Sequence, residues 1–326
     1  MRILVWHVHG SWTNSFVRGV HDYVLPVTPD RGTEGLGRAR TWDWPAAARE
    51  VPVGLLRGEP LDLVVLQRQE ELDWCRRWTG LEPGIDLPAV YVEHNAPPGP
   101  AVATPHPVGA PGCRPRGIRL VHVTRFNALA WDNGEAEVAV VEHGIPDPGL
   151  RWTGTDPSLA AVVNEPVRRW RVAGTDLLLD VASRVATHVY GMGMPALQDA
   201  AERAGVGFAG LHDDLPQSDL HAALGRHRGY LHPYRWTSLG LALLEAMALG
   251  MPVLALATTE APRAVPPEAG LVTCDLTALH ERAQQWLADP SAARDQGLAA
   301  REHVLEHYGH QRFLDDWDEL LKEVTS

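Results

Sequence analysis

The chain has 326 residues, 45% of them hydrophobic, enough for one large or two medium domains with cores of their own. A formal net charge of -12 argues against capture by nucleic-acid phosphates or by an anionic membrane surface. Cys75, Cys113 and Cys274 stand far apart without a CxxC pair, so they suggest neither a disulfide framework nor a zinc site and fit a reducing, cytoplasmic setting.

The opening MRILVWHVHGSW holds an apolar run too short for a signal peptide or a membrane span, and reads as a first strand. Further short apolar runs follow at 23–27, 61–67, 89–93, 120–124 and 137–142, each succeeded by a turn or a helical stretch. Runs apolar on both faces and separated by crossovers indicate a parallel sheet covered by helices. Residues 28–50 and 95–117 are rich in Pro and Gly and read as loops.

A second series begins after GIPDPGLRWTGTDPS (144–158), which has a linker's composition. Its predicted strands are 159–163, 186–190, 206–210, 229–231, 252–257 and 270–273. Its predicted helices include 174–184, 195–204, 218–225, 239–249 and 277–288. The closing QRFLDDWDELLKEV places Phe313, Leu314, Trp317, Leu320, Leu321 and Val324 on one helical face. The expected architecture is α/β: two Rossmann-like domains, 1–150 and 151–308, and a terminal helix, 309–326, packing back toward the first.

Within RWTSLGLALLEAMALGMPVLALATTEAP (235–262), the apolar stretch from 239 to 257 is broken by one acid, Glu245. Thr237 or Ser238 is placed to cap a helix there, and Gly250 to end it. A buried carboxylate needs a cation or hydrogen-bond donors. Gly240, without a Cβ, would let an anion reach the first-turn N–H groups. Two readings stay open on these grounds: a ligand with a phosphate and hydroxyls, or a capped buried helix whose Glu meets an Arg.

The segment TSLGLALLEAMALGMPVLA resembles the nucleotide-sugar signature of the family-four retaining glycosyltransferases, E-x-F-G-L-x-x-x-E-A-M-A-x-G-x-P-V. These enzymes have the GT-B fold, two Rossmann-like domains facing across a cleft. The resemblance implies that Glu245 holds the donor's ribose hydroxyls and that Ser238, Leu239, Gly240 and Leu241 meet its diphosphate. Thr237 stands where the family has a Glu that touches the donor sugar. Upstream, AAVVNEPVRRWRVAGTDLLLDVA (160–182) resembles the start of the family's donor domain. Arg168 falls on its diphosphate-clamping Arg, and Ala173 replaces its Lys, leaving Arg169 or Arg171 to supply that charge. VYGMG and LHDDLPQSDLHAAL (211–224) resemble base-binding loops, with Leu215 and Pro216 as base contacts.

In the first domain, HVHGSW (7–12) sits where the family has a Gly-rich turn near the diphosphate, which Gly10 matches. The resemblance of RGVHDYVLPVTP to the second-strand entry leaves room for only a short helix before it. AVYVEHNAPPG brings His94 to a strand's carboxyl end, where the family's His faces the donor sugar; it is the catalytic candidate. VHVTRFN and VVEHGIPDP resemble strands leading to the cleft, and make Asn127, Glu142 and His143 acceptor-side candidates. Trp12, Trp42 and Trp44 fall in the first domain's loops, where exposed rings would stack on an apolar or sugar acceptor, with core packing as the other reading.

Asp316 and Asp318 spell D-x-D, the metal signature of a different glycosyltransferase fold, but residues two apart do not share a helix face. Asp213 and Asp214 lack further ligands in spacing. No GxSxG, P-loop or HExxH is present. The expectation is a metal-independent enzyme without a cofactor, moving a sugar from a nucleoside diphosphate sugar to an unidentified acceptor with retention of configuration, with domain closure excluding water. Its partners would be that nucleotide sugar and an acceptor that is a metabolite, natural product, lipid or glycan, with no nucleic acid and no membrane insertion. Thr237 and Ala173 motivate the alternative, a nucleotide-sugar-binding protein without transferase activity.

Overall fold

The computed structural model describes residues 1–38, 43–109 and 117–326, so Trp42 and Cys113 lie outside the described residues. The chain divides into two compact units, Met1–Gly144 together with His310–Ser326, and Ile145–Gly309.

In the first unit, β1 (Arg2–Val5), α1 (Gly10–Phe16), β2 (Asp22–Val27), β3 (Ala48–Pro52), β4 (Leu63–Leu66), α2 (Glu70–Thr79), β5 (Ala89–Glu93), β6 (Ile118–His122), α3 (Arg125–Ala130) and β7 (Val138–Val140) follow in order. Among the described residues the strands form one parallel sheet, β3-β2-β1-β4-β5-β6-β7. Its middle strands are buried on both faces, as their unbroken apolar runs require.

The second unit repeats the plan. It contains β8 (Asp156–Val162), α4 (Pro166–Ala173), α5 (Thr175–Ala182), β9 (Thr187–Gly191), α6 (Met194–Ala204), β10 (Gly210–Asp213), α7 (Gln217–Leu224), β11 (His227–His232), α8 (Leu241–Ala248), β12 (Val253–Leu256), α9 (Ala261–Ala264), β13 (Gly270–Thr273), α10 (Leu276–Ala288) and α11 (Pro290–His307). The strands run parallel in the order β10-β9-β8-β11-β12-β13, the doubly wound arrangement. One core layer joins α8, with Leu243, Leu244 and Met247, to Val253 and Ala255; another joins Leu177, Leu178 and Val181 of α5 to Val189 and Trp286.

The last helix, α12 (His310–Thr325), belongs to the first unit. It buries Phe313, Trp317, Leu320 and Leu321, and Trp317 meets Trp12 and Phe16 edge-on at 5.6 and 5.1 Å.

Two strands depart from the sequence reading. β3 lies in a stretch expected to be loop, and β10 begins at Gly210 instead of ending there. Both are sheet edges, with the sequences AREVP and GLHD. An edge strand packs on fewer neighbours and tolerates charge and Pro, so it lacks the apolar run that reveals an interior strand. β8 also starts at Asp156, inside the stretch that reads as a linker.

Candidate functional site

β8 and β11 are neighbours in the sheet although the strands β9 and β10 lie between them in the chain, so the strand order switches direction between them. Ligands of open parallel sheets sit beyond strand carboxyl ends at such a point. The loop after β8 leads into α4, which carries Arg168 and Arg169; the loop after β11 carries Thr237, Ser238 and Gly240 into α8.

Two glycines fix these loops. Gly174, at φ 73°, joins α4 to α5, and a Cβ there would lie 1.9 Å from the Pro233 carbonyl oxygen. The loop after β11 therefore lies against that junction, where the Arg235 N–H donates to the Val172 carbonyl at 3.0 Å. Gly240 is extended (φ -73°, ψ 123°) and its added Cβ would stand 2.8 Å from His232 Cε1, so the loop crosses the face of this imidazole.

The helix begins at Leu241, later than expected, and no side chain caps it. Thr237 and Ser238 are thus not caps. Ser238 Oγ is buried without a hydrogen-bond partner, and so is His232 Nδ1. Burial pushes the His232 pKa down to about 4, leaving a neutral ring near pH 7.

Glu245, one turn into α8, is 8% exposed. Its Oε1 accepts from Gln217 Nε2 at 3.0 Å, and its Oε2 lies 3.3 Å from His221 Nε2. Both partners come from α7, four residues apart on one face. The plain-packing reading expected an Arg, and the structure supplies an amide and an imidazole instead. A carboxylate offers about four acceptor positions. These two contacts leave capacity for ligand hydroxyls.

The arginines fare differently. Arg171 pairs with Asp176 at 2.5 Å, and Arg235 grips the same carboxylate through both nitrogens. Burial is the largest influence on Asp176 and would raise its pKa, but Arg235 and Arg171 together bring it below the usual carboxylate value. Arg171 is therefore committed to a structural pair. Arg168 is largely exposed and 3.7 Å from Glu165, while the Arg169 guanidinium lies over the Tyr234 ring at 5.4 Å. Ala173, at the family's Lys position, is fully buried. Leu239 belongs to the core, Leu241 and Thr237 are half-buried, and Leu215 and Pro216 are exposed at the start of α7.

In the first unit, His9, His94 and His143 follow β1, β5 and β7. Ring centroids are 4.0 Å apart for His9 and His94, and 6.4 Å for His94 and His143. His94 Nε2 and His143 Nδ1 are buried without partners. Burial is the largest cause lowering all three: His9 to about 4, where Glu93 opposes the shift and Arg68 and His7 add to it, His143 to about 3, with His9 and Arg312 adding, and His94 well below its ordinary value, with His9 and His143 adding. They are neutral imidazoles at pH 7. Gly10 opens α1 directly after His9, and this helix has seven residues, as short as the sequence requires.

Asn127 is fully buried, and its side-chain amide has no partner among the described residues. Glu142 is half-buried, and Arg312 holds its carbonyl and that of His143. Glu93 carries no free role: it accepts from the Asn95 N–H at 2.6 Å and pairs with His106 at 3.2 Å. Trp12 is corrected. At 2% exposure it stacks on Phe16 and meets His94 edge-on, so it is core and not an acceptor platform. Trp44 is half-buried beside His7.

The D-x-D acids are both paired, Asp316 with Arg312 and Asp318 with Lys322 and His21. Asp213 accepts from the N–H groups of Gly193 and Met194 at the start of α6. Spacing gave no metal cluster, yet the fold gathers Asp156, His188 and His227 with ligating atoms within 4.8 Å of one another. Spacing also missed His9, Gln217, His221 and His232. The last had a visible signal, its place as the final residue of the strand entering the motif. Among the described residues no helix is long and apolar enough to cross a membrane.

Residues 167–289 match the family described as glycosyl transferases group 1. No curated protein sequence matches the chain. Solved structures do. Sucrose-phosphate synthase from Thermosynechococcus elongatus shares 13% identity at a TM-score of 0.71, covering 99% of both chains. Anabaena HepE in complex with UDP-glucose shares 13% at 0.69, covering 99% of this chain and 100% of that one. TarM, known also from S. aureus crystals with UDP, shares 13% at 0.61, and this chain, matched over 79% of its length, spans 54% of TarM. Residues 167–289 thus match a group 1 glycosyltransferase domain, in a chain of GT-B architecture.

Proposed function

We propose that the protein transfers a sugar from a nucleoside diphosphate sugar to an acceptor with retention of configuration. The observation that carries this reading is Glu245, a buried carboxylate with spare acceptor capacity, set one turn beyond a Gly240 entry flanked by an unpartnered Ser238 hydroxyl and His232 nitrogen. Glu245 takes the two ribose hydroxyls. The diphosphate lies at the α8 N-terminus, where N–H groups and the helix dipole favour an anion and Ser238 donates a further bond. Arg168 and Arg169 supply positive charge there, in place of the Lys that Ala173 replaces. Leu215 and Pro216 offer an apolar surface to the base next to the helix that holds Glu245.

Preorganised amides and guanidinium groups stabilise the charge that develops on the departing diphosphate, which is the main task left to the protein in such a transfer. In the first unit, the neutral rings of His94, His143 and His9 and the amide of Asn127 bind hydroxyls without adding a positive charge. The UDP found in the HepE and TarM structures supports a nucleoside diphosphate as the leaving group.

The test is turnover of UDP-, GDP-, ADP- and TDP-sugars with a broad acceptor panel. Release of one nucleoside diphosphate, dependent on acceptor, is the expected result. Saturable binding of a nucleotide with no release from any donor would favour the second reading, a binding protein without transfer, which Thr237 and Ala173 motivate.

A further inference from the structure

The amino-proximal side of the second sheet carries a different constellation. There β8 contributes Asp156 and Ser158, β11 His227 and β9 His188, while Tyr190 of β9 and His212 of β10 stand farther along their strands, level with Val162. Alternation along each strand brings these side chains to one face. His188 and His212 stack at 5.5 Å, His188 and His227 lie 4.6 Å apart, and Tyr190 stacks on His212 at 4.4 Å. His188 Nδ1 is 3.2 Å from His212 Nε2. Gly210 makes this meeting possible. A Cβ on it would stand 2.6 Å from His188 Nδ1 and 2.8 Å from His212 Nε2, so a side chain would occupy the space the two nitrogens face.

We propose that Asp156, His188, His212 and His227 bind one divalent transition-metal ion of the zinc class at this edge. Three imidazoles and a carboxylate are ligands that zinc accepts, at about 2.0–2.2 Å each. The ligating atoms of Asp156, His188 and His227 already lie within 4.8 Å of one another, and tetrahedral binding needs roughly 3.4 Å, a closure that side-chain rotation supplies. His227 is the anchor. It is buried, with Nδ1 2.8 Å from Ser158 Oγ and Nε2 2.8 Å from Tyr190 Oη. On binding, one nitrogen exchanges its hydroxyl for the ion while the other hydroxyl keeps the ring oriented, as outer partners do in metal sites.

Arg226, exposed nearby, opposes the cation, and Asp156 offsets it. His227 stands about 16 Å along β11 from the loop that enters α8, and the ion would tie four strands together through residues other than the proposed donor contacts.

The experiment is titration of the full chain with Co2+, read by its tetrahedral visible absorption, and with Zn2+ in competition. One saturable equivalent is expected, with binding at least ten-fold weaker in His188→Asn and His227→Asn, and unchanged in Glu245→Ala and in His303→Asn, a histidine of α11 outside the cluster. Imidazole NMR of the wild type, which needs no folded variant, should show Zn2+ shifts confined to His188, His212 and His227. Absence of a saturable equivalent, or shifts centred on other histidines, would overturn the proposal.

Discussion

Glu245 shows how much of a site one residue can announce. A lone acid in an apolar helix demands a partner, and that demand is legible in the sequence. The partners are not, because Gln217 and His221 reach it from α7, 28 and 24 residues earlier, through tertiary packing that spacing does not encode. Replacing Gln217 with Ala removes a donor to a buried carboxylate. The expected cost is about 1–3 kcal/mol of second-unit stability, measured by denaturant unfolding, with added nucleotide recovering part of it.

The histidines of the first unit make a pH prediction. Their folded pKa values lie below the unfolded value of 6.5, so below that value the unfolded chain binds more protons and stability falls with pH. For His143, at about 3 when folded, the loss between pH 8 and pH 5 is about 2 kcal/mol. His143→Gln should flatten the stability profile by that amount. An unchanged slope would mean that His143 becomes protonated without unfolding.

At the scale of elements, interior strands and the motif helix are legible because burial on two faces leaves unbroken apolar runs. The edge strands β3 and β10 are not, since their sequences meet solvent on one side. The reason for Gly174 at the α4–α5 junction emerges only in the fold: a left-handed turn with the Pro233 carbonyl against it. Gly174→Ala should lower the stability of the second unit by more than about 1 kcal/mol. It should also weaken nucleotide binding, because the displaced loop carries Ser238 and Gly240. Calorimetry with and without nucleotide measures both effects.

For the molecule as a whole, the chain order and the compact units differ. His310–Ser326 follows the second unit in sequence and belongs to the first in space. The amphipathic face of α12 was legible, whereas Trp12, placed in a loop by sequence, proves to be one of the rings it covers. Truncation after Gly309 removes Phe313, Trp317, Leu320 and Leu321 from that core. The first unit should then lose its cooperative unfolding transition while the second retains its own.

The account stands most directly on nucleotide binding at Glu245. Calorimetric titration of the wild type and Glu245→Ala with UDP, GDP, ADP and TDP measures it. We predict saturable binding of at least one of them, weakened about 10- to 100-fold by the substitution, as loss of hydrogen bonds to a charged group implies. Binding of equal affinity in both proteins, or of none of the four to the wild type, would contradict it.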